Sequence, residues 1–142
     1  NRAMLDDAPT CTATHDRLRI VVCGAHMDGL ALNVQLRERG ARLVDATTSA
    51  PHYRLYVLAD GKRPGMVRVA DQGAGIAVEV WELPHSEVGS FLAGIPAPLG
   101  LGKIELQDGR WLTGFICEAY GLEGARDITE FGGWRAWLAR KR

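Results

Sequence analysis

Between residues 42 and 83 four strand-like runs follow one another with only turn residues between them, and that spacing limits what the chain can fold into. They cover residues 42–47, 53–58, 66–70 and 75–83. Parallel neighbours need a crossover of a dozen residues or more, so the spacing excludes a doubly wound parallel sheet. The last run, G-I-A-V-E-V-W-E-L, is the strongest. It sets Ile76, Val78 and Val80 on one face and Ala77, Glu79 and Trp81 on the other. Asp60-Gly61-Lys62-Arg63-Pro64-Gly65 supplies a turn between the second and third runs.

The flanking segments add helices and two more turns. Residues 19–23 (R-I-V-V-C) predict a buried strand that stops at Gly24. Asp28 offers an N-cap to a helix over residues 30–39, where Leu32, Gln35, Leu36 and Arg39 recur at helical spacing and Gly40 ends the pattern. Pro84 fits the first turn of a second helix, with Val88, Phe91, Leu92 and Ile95 on one face and Pro96 and Pro98 beyond it. Strands over 101–106 and 111–118 bracket Asp108-Gly109, a hairpin signal. Asp127-Ile128-Thr129-Glu130 reads as a capping box for a last helix carrying Phe131, Trp134 and Leu138, with an irregular start at Gly132-Gly133. The order predicts an α+β domain: a small, mixed, partly closed β-barrel-like sheet with flanking helices. Residues 1–18 lack a sustained period and read as a tether, a fitting start for one domain of a longer protein. Residues 19–142 form the single domain.

Composition narrows the function. Seventeen basic residues balance seventeen acidic ones among 142, so no basic field draws the chain to nucleic acid or a membrane surface. No apolar run approaches the ~20 residues of a membrane helix, and the acidic first residues exclude a signal peptide. Cys11, Cys23 and Cys117 are widely spaced and form no C-x-x-C, which predicts reduced thiols, a cytoplasmic setting and no bound metal.

Most catalytic motifs fail. Gly100-Leu101-Gly102-Lys103 ends like a P-loop, but Ile104 follows where a hydroxyl is needed and a strand replaces the helix. No G-x-S-x-G or H-E-x-x-H is present. Gly24-Ala25-His26-Met27 survives, lying between the first strand and first helix. Backbone N–H groups at such a junction can hold a carboxylate, Gly24 permits close approach, and an imidazole moves protons near neutral pH. His26 is therefore either a proton carrier or an ordinary loop histidine. His15, His52 and His85 fall in the tether, a loop and an exposed helical turn, and read as solvated. Tyr53, Tyr56, Trp81 and Trp111 read as core or pocket wall. Arg68 and Lys103 lie on strands, where they face solvent or, on a concave face, bind an anion. Trp134 and Trp137 are core residues or an exposed docking patch.

Five blocks in order, V-V-C-G-A-H-M-D-G-L-A-L-N (21–33), A-P-H-Y-R-L-Y-V-L (50–58), P-G-M-V-R-V (64–69), I-P-A-P-L-G-L-G (95–102) and F-G-G-W-R-A-W-L (131–138), resemble the C-terminal domain of allophanate hydrolase. The resemblance runs from about residue 19 to 139. It implies a gamma-glutamylcyclotransferase-like fold, with residues 23–27 in place of the Tyr-Gly-Ser-Leu-type substrate loop. It also implies that Pro96 stands near where cyclotransferases carry an acid, so cyclotransfer is not expected. The family's role in bacterial or fungal urea and s-triazine nitrogen use implies decarboxylation of N-carboxycarbamate, made from allophanate by an amidase-signature domain. His26 matches the family's catalytic histidine. Gly24, Ala25, Met27, Tyr56 and Lys103 are the expected substrate contacts, and no cofactor is implied. The Ser-cisSer-Lys machinery of the amidase domain is absent from these 142 residues. The implied partners are a small carboxylate, the amidase domain and a second copy in a homodimer. The alternative is a non-catalytic dimerisation or docking module.

Overall fold

The computed structural model describes residues 16–140. Its elements in chain order are β1 (Arg17–Val22), α1 (Asn33–Arg37), β2 (Arg42–Thr48), β3 (Tyr53–Val57), β4 (Pro64–Arg68), β5 (Ala77–Pro84), α2 (His85–Ala93), β6 (Leu99–Glu105), β7 (Trp111–Cys117), β8 (Arg126–Asp127) and α3 (Trp134–Leu138). Short 3-10 turns occupy Ala119–Leu122 and Thr129–Phe131. The first strand thus begins inside the expected tether. The tether's remainder through residue 15, with Cys11 and His15, lies outside the described residues.

Two sheets form. The larger runs β2-β5-β1-β7-β6, and the smaller runs β4-β3-β8. β1 is the centre of the larger, antiparallel to β5 and parallel to β7. Ile20, Val21 and Val22 are consequently almost wholly buried. The sheet does not close into a barrel. Its edge strands β2 and β6 meet just beyond their ends, where Ser49 bridges Leu106 and the Ala50 and Gln107 N–H groups donate to the carbonyls of Glu105 and Thr48. The β6–β7 hairpin turns at Gly109, whose φ of +92° suits glycine. On β3, Tyr53, Leu55 and Val57 are buried between the half-exposed Arg54 and Tyr56, as a period of two requires. On β5 both faces are covered: Val78, Glu79, Val80 and Trp81 are all buried.

Two helices differ from the sequence reading. α1 is one turn long and begins at Asn33, not at residue 30. Asp28 does not cap it, because the Asp28 N–H donates to Glu79 Oε1 (2.7 Å) and its carboxylate pairs with Arg37. At the C-terminus the capping box does not start a helix. Asp127 instead pairs with β3: its Oδ2 accepts from Arg54 Nε at 2.6 Å, while its Oδ1 accepts the Thr129 N–H. Ile128 N–H donates to the Leu55 carbonyl, and Thr129 Oγ1 accepts the Leu55 N–H. These bonds dock the segment against β3; the 3-10 turn Thr129–Phe131 follows, and Gly132, at φ +78°, leads on into α3. Trp134 and Trp137 on α3 are core residues, 3% and 6% exposed, which removes the docking patch they would have formed. Among the described residues no helix is long and apolar enough to cross a membrane.

Gly114 on β7 tests how tightly the central strands pack. A Cβ there would lie 2.6 Å from Ile104 Cδ1, 2.8 Å from Val21 Cβ and 3.0 Å from the Val21 carbonyl oxygen. Gly114→Ala should destabilise the fold by about 1–3 kcal/mol, the usual cost of overpacking. Gly100→Ala, whose Cβ meets nothing within 4 Å, should lie close to wild type. Urea denaturation of the two variants decides the point; equal midpoints would refute the packing argument.

Candidate active site

The site begins where β1 runs out. After Val22 the chain passes Cys23 and makes two successive turns before α1. Met27 N–H donates to the Gly24 carbonyl (3.0 Å), Leu30 N–H to Met27 (3.0 Å), and Leu32 N–H back to Ala25 (2.9 Å). The buried Asn33 side chain donates from Nδ2 to the His26 carbonyl at 2.8 Å. Gly24 is demanded by packing: a Cβ there would sit 2.5 Å from Pro64 Cγ, at the start of β4. The close approach that glycine permits is made by Pro64, where the sequence reading had assigned it to a ligand.

Gly24, Ala25 and His26 line a cavity of about 110 Å³. Val22, Cys23, Leu32, Ile95, Pro96, Leu99 and Phe115 supply apolar walls. His26, Gln35, Lys62 and Arg63 bring the polar groups. The imidazole stands edge-on to Phe91 (5.1 Å between centroids, 77°) and stacks on Phe115 (6.0 Å, 23°). Its Nε2 is 2.9 Å from Gln35 Oε1. Burial pushes the His26 pKa below 6.5; the Gln35 bond opposes this and the Arg39 charge adds to it. The neutral ring therefore dominates at pH 7.

Among the described residues the N–H groups of Ala25 and His26, two residues that line the cavity, make no hydrogen bond. They belong to the turn itself. α1 starts seven residues after His26 and is one turn long, so a helix end does not stand behind the loop as the sequence suggested. Two cations flank the cavity on the turn between β3 and β4. Arg63 is committed: its Nε donates to Asp60 Oδ2 (2.8 Å) and its Nη1 to the Ala97 carbonyl (3.3 Å). The Lys62 ammonium has no hydrogen-bond or ion-pair partner among the described residues.

Three of the expected contacts lie elsewhere. Met27 turns inward, 2% exposed, because its side chain anchors the loop in the core. Tyr56 is half-buried on β3, opposite Gly65 and Asp127, away from the cavity. Lys103 sits on edge strand β6, where its ammonium donates to Thr113 Oγ1 (2.8 Å) on β7. Arg68 pairs with Glu105. His52 and His85 are exposed. Sequence reasoning missed Gln35 and Lys62. A polar residue on the apolar stripe beside Leu36 was the available signal for Gln35; nothing local marked Lys62. Among the described residues no cluster of three His, Cys, Asp or Glu side chains could hold a metal ion.

Two titrations check these electrostatics. The His26 ring should titrate below 6.5 by proton NMR. Protonation then favours the unfolded chain, so the stability linked to His26 is intact above about 6.5 and falls as pH drops through the folded-state pKa. His26→Gln should flatten that part of the pH profile. Burial pushes the Cys23 thiol up to about 12, so it should resist thiol reagents in the native state and react on denaturation. A His26 midpoint above 6.5, or native-state labelling of Cys23, would contradict the burial argument.

The geometry can be set beside known proteins. The profile of the allophanate hydrolase C-terminal domain matches residues 18–139. Urea amidolyases of Lachancea kluyveri and Saccharomyces cerevisiae are 36% and 38% identical over 129 and 127 residues, or 87% and 85% of this chain. The chain spans 7% of the length of each. Allophanate hydrolase of Kluyveromyces lactis superposes with a TM-score of 0.85 at 36% identity, over 92% of this chain and 22% of that one. A uropathogenic E. coli-specific protein superposes with a TM-score of 0.82 at 36% identity, over 89% of this chain and 98% of its own. With a profile match across nearly all the described residues, the chain belongs to the allophanate hydrolase C-terminal domain family.

Proposed function

We propose that this domain decarboxylates N-carboxycarbamate, the product an amidase-signature domain makes from allophanate, within urea or s-triazine nitrogen breakdown. The observation that carries the reading is a neutral imidazole on the wall of a small, largely apolar cavity that also presents two unpaired backbone N–H groups. One substrate carboxylate accepts from the Ala25 and His26 N–H groups, with the Lys62 ammonium as its counter-charge. His26 takes the proton of the second, protonated carboxyl group and returns it to the central nitrogen. The C–N bond then breaks, its electron pair stays on nitrogen, and the carboxyl leaves as carbon dioxide with carbamate behind it. Apolar walls favour this step, because they disfavour charge on the group that departs.

The gamma-glutamylcyclotransferase-like fold name belongs to this reading as well, without cyclotransfer, since Pro96 offers no base. The match to only 22% of Kluyveromyces lactis allophanate hydrolase and 7% of the urea amidolyases supports a partner amidase domain on the same or another chain. A purely docking role has lost its main support, because Trp134 and Trp137 are buried.

The test generates the substrate in situ with an amidase domain acting on allophanate and follows carbon dioxide above the uncatalysed rate. His26→Ala should slow release by about 10²–10⁴-fold with the fold intact. Lys62→Met should raise KM roughly tenfold, the loss of one charge-assisted bond. His52→Ala and His85→Ala should be near neutral. If His26→Ala keeps the wild-type rate while the cavity still binds malonate, the loop is an anion cradle and the docking role takes precedence.

A further inference from the structure

We propose that Gln35 is the positioning residue of this site: its side-chain carbonyl accepts the Nε2–H of His26, holds the ring as that tautomer and leaves Nδ1 as the proton-accepting atom. The inference rests on the reading of His26 as the proton carrier. Its first ground is geometric. Oε1 lies 2.9 Å from Nε2, and a carbonyl oxygen only accepts, so this contact is a hydrogen bond in the tautomer that carries its hydrogen on Nε2. Among the described residues Nδ1 has no hydrogen-bond partner. A neutral imidazole has one lone pair for acid–base work, and the partner of one nitrogen decides which atom carries it.

The second ground is that both partners are held. Gln35 sits on α1 directly before the buried Leu36; its N–H donates to the Leu32 carbonyl, and its own carbonyl accepts from Arg39 Nη1 (2.9 Å). The ring is fixed between Phe91 and Phe115, and its peptide carbonyl accepts from Asn33. The third ground is that no competing acceptor faces the ring. The charged groups around it are Arg39 at the end of α1 and Lys62 and Arg63 on the opposite wall; Cys23, the other titratable wall residue, stays protonated. No acidic side chain lines the cavity among the described residues. Gln35 is therefore the one acceptor that can select the tautomer without adding a charge that would hold the ring protonated.

Long-range proton–nitrogen NMR on the substrate-free chain with labelled histidine reads the tautomer directly. Wild type should show His26 protonated at Nε2 and bare at Nδ1. Gln35→Glu replaces the neutral acceptor with an anion and should raise the His26 titration midpoint by about one to two pH units. Gln35→Leu removes the acceptor and should lower it. The acid limb of carbon dioxide release should follow: displaced to higher pH in Gln35→Glu and to lower pH in Gln35→Leu, with kcat rather than KM falling in the latter. A merely structural Gln35 would not move the two variants in opposite directions. If Gln35→Leu does not fold, the wild-type tautomer and the Gln35→Glu midpoint decide alone. An Nδ1–H ring in wild type, or a midpoint unmoved by Gln35→Glu, overturns the proposal. The two readings fail separately: full activity in His26→Ala would sink the proton carrier, yet leave the NMR result on Gln35 standing.

Discussion

A single buried carboxylate holds together the parts of this domain that sequence distance would keep apart. Glu79 is 6% exposed on β5. Its Oε1 accepts from the Asp28 N–H at 2.7 Å and the Trp81 Nε1–H at 3.0 Å, and its Oε2 accepts from Arg135 Nη2 at 2.9 Å. Arg135 also donates to the Asp28 carbonyl. The loop after β1, the middle of the sheet and the last helix thus share one anion. Such an anion is tolerated inside because its oxygens are occupied, each bond to a charged acceptor contributing on the order of 1.5–3 kcal/mol and the half-exposed Arg135 less. A wider depression over this network, between β2 and α3, presents charges that already satisfy one another.

The consequence for the site is direct. Asp28 lies two residues after His26, and fixing its peptide on Glu79 fixes one end of the loop. Met27 in the core and Asn33 under the His26 carbonyl fix the middle and the far end. A loop pinned three times from below can present His26 on its other side with little freedom, and Gln35, Phe91 and Phe115 then define the ring from above. The five-stranded sheet supplies the rigid base: β1 carries the loop, and β7, parallel beside it, carries Phe115.

What the sequence disclosed followed the range of the forces involved. The longer strands were legible because their signals are local: alternation over 75–83, and aromatic and β-branched residues over 53–58, where β3 buries Tyr53, Leu55 and Val57 in turn. The strand-end position of residues 24–26 was legible for the same reason. The start of α1 was not, since Asp28 looks like a cap until Glu79, 51 residues away, captures its N–H. Asp127-Ile128-Thr129-Glu130 likewise reads as a capping box, but Arg54 and Leu55 draw Asp127 and Ile128 into β pairing from across the fold, and only a 3-10 turn follows before α3. Nothing local set Lys62 apart from a solvated turn lysine, because only the β3–β4 hairpin carries it to the cavity. Lys103, the strand lysine the sequence favoured, is spent on Thr113.

In the proposed reading, the chemistry of the cavity wall favours loss of carbon dioxide over cyclotransfer. Cyclotransfer needs a carboxylate base beside the attacking amine, and an acid there would also repel a substrate bearing two carboxylates. Pro96 lines the cavity and carries neither a base nor a charge. In that reading the neutral, amide-bonded imidazole is the proton carrier, and among the described residues the cavity carries Lys62 and Arg63 but no acidic side chain. For the proposed substrate, whose departing carboxyl group gives up its proton and leaves as a neutral gas, Lys62 would attract the carboxylate that stays while the apolar walls disfavour charge on the group that leaves.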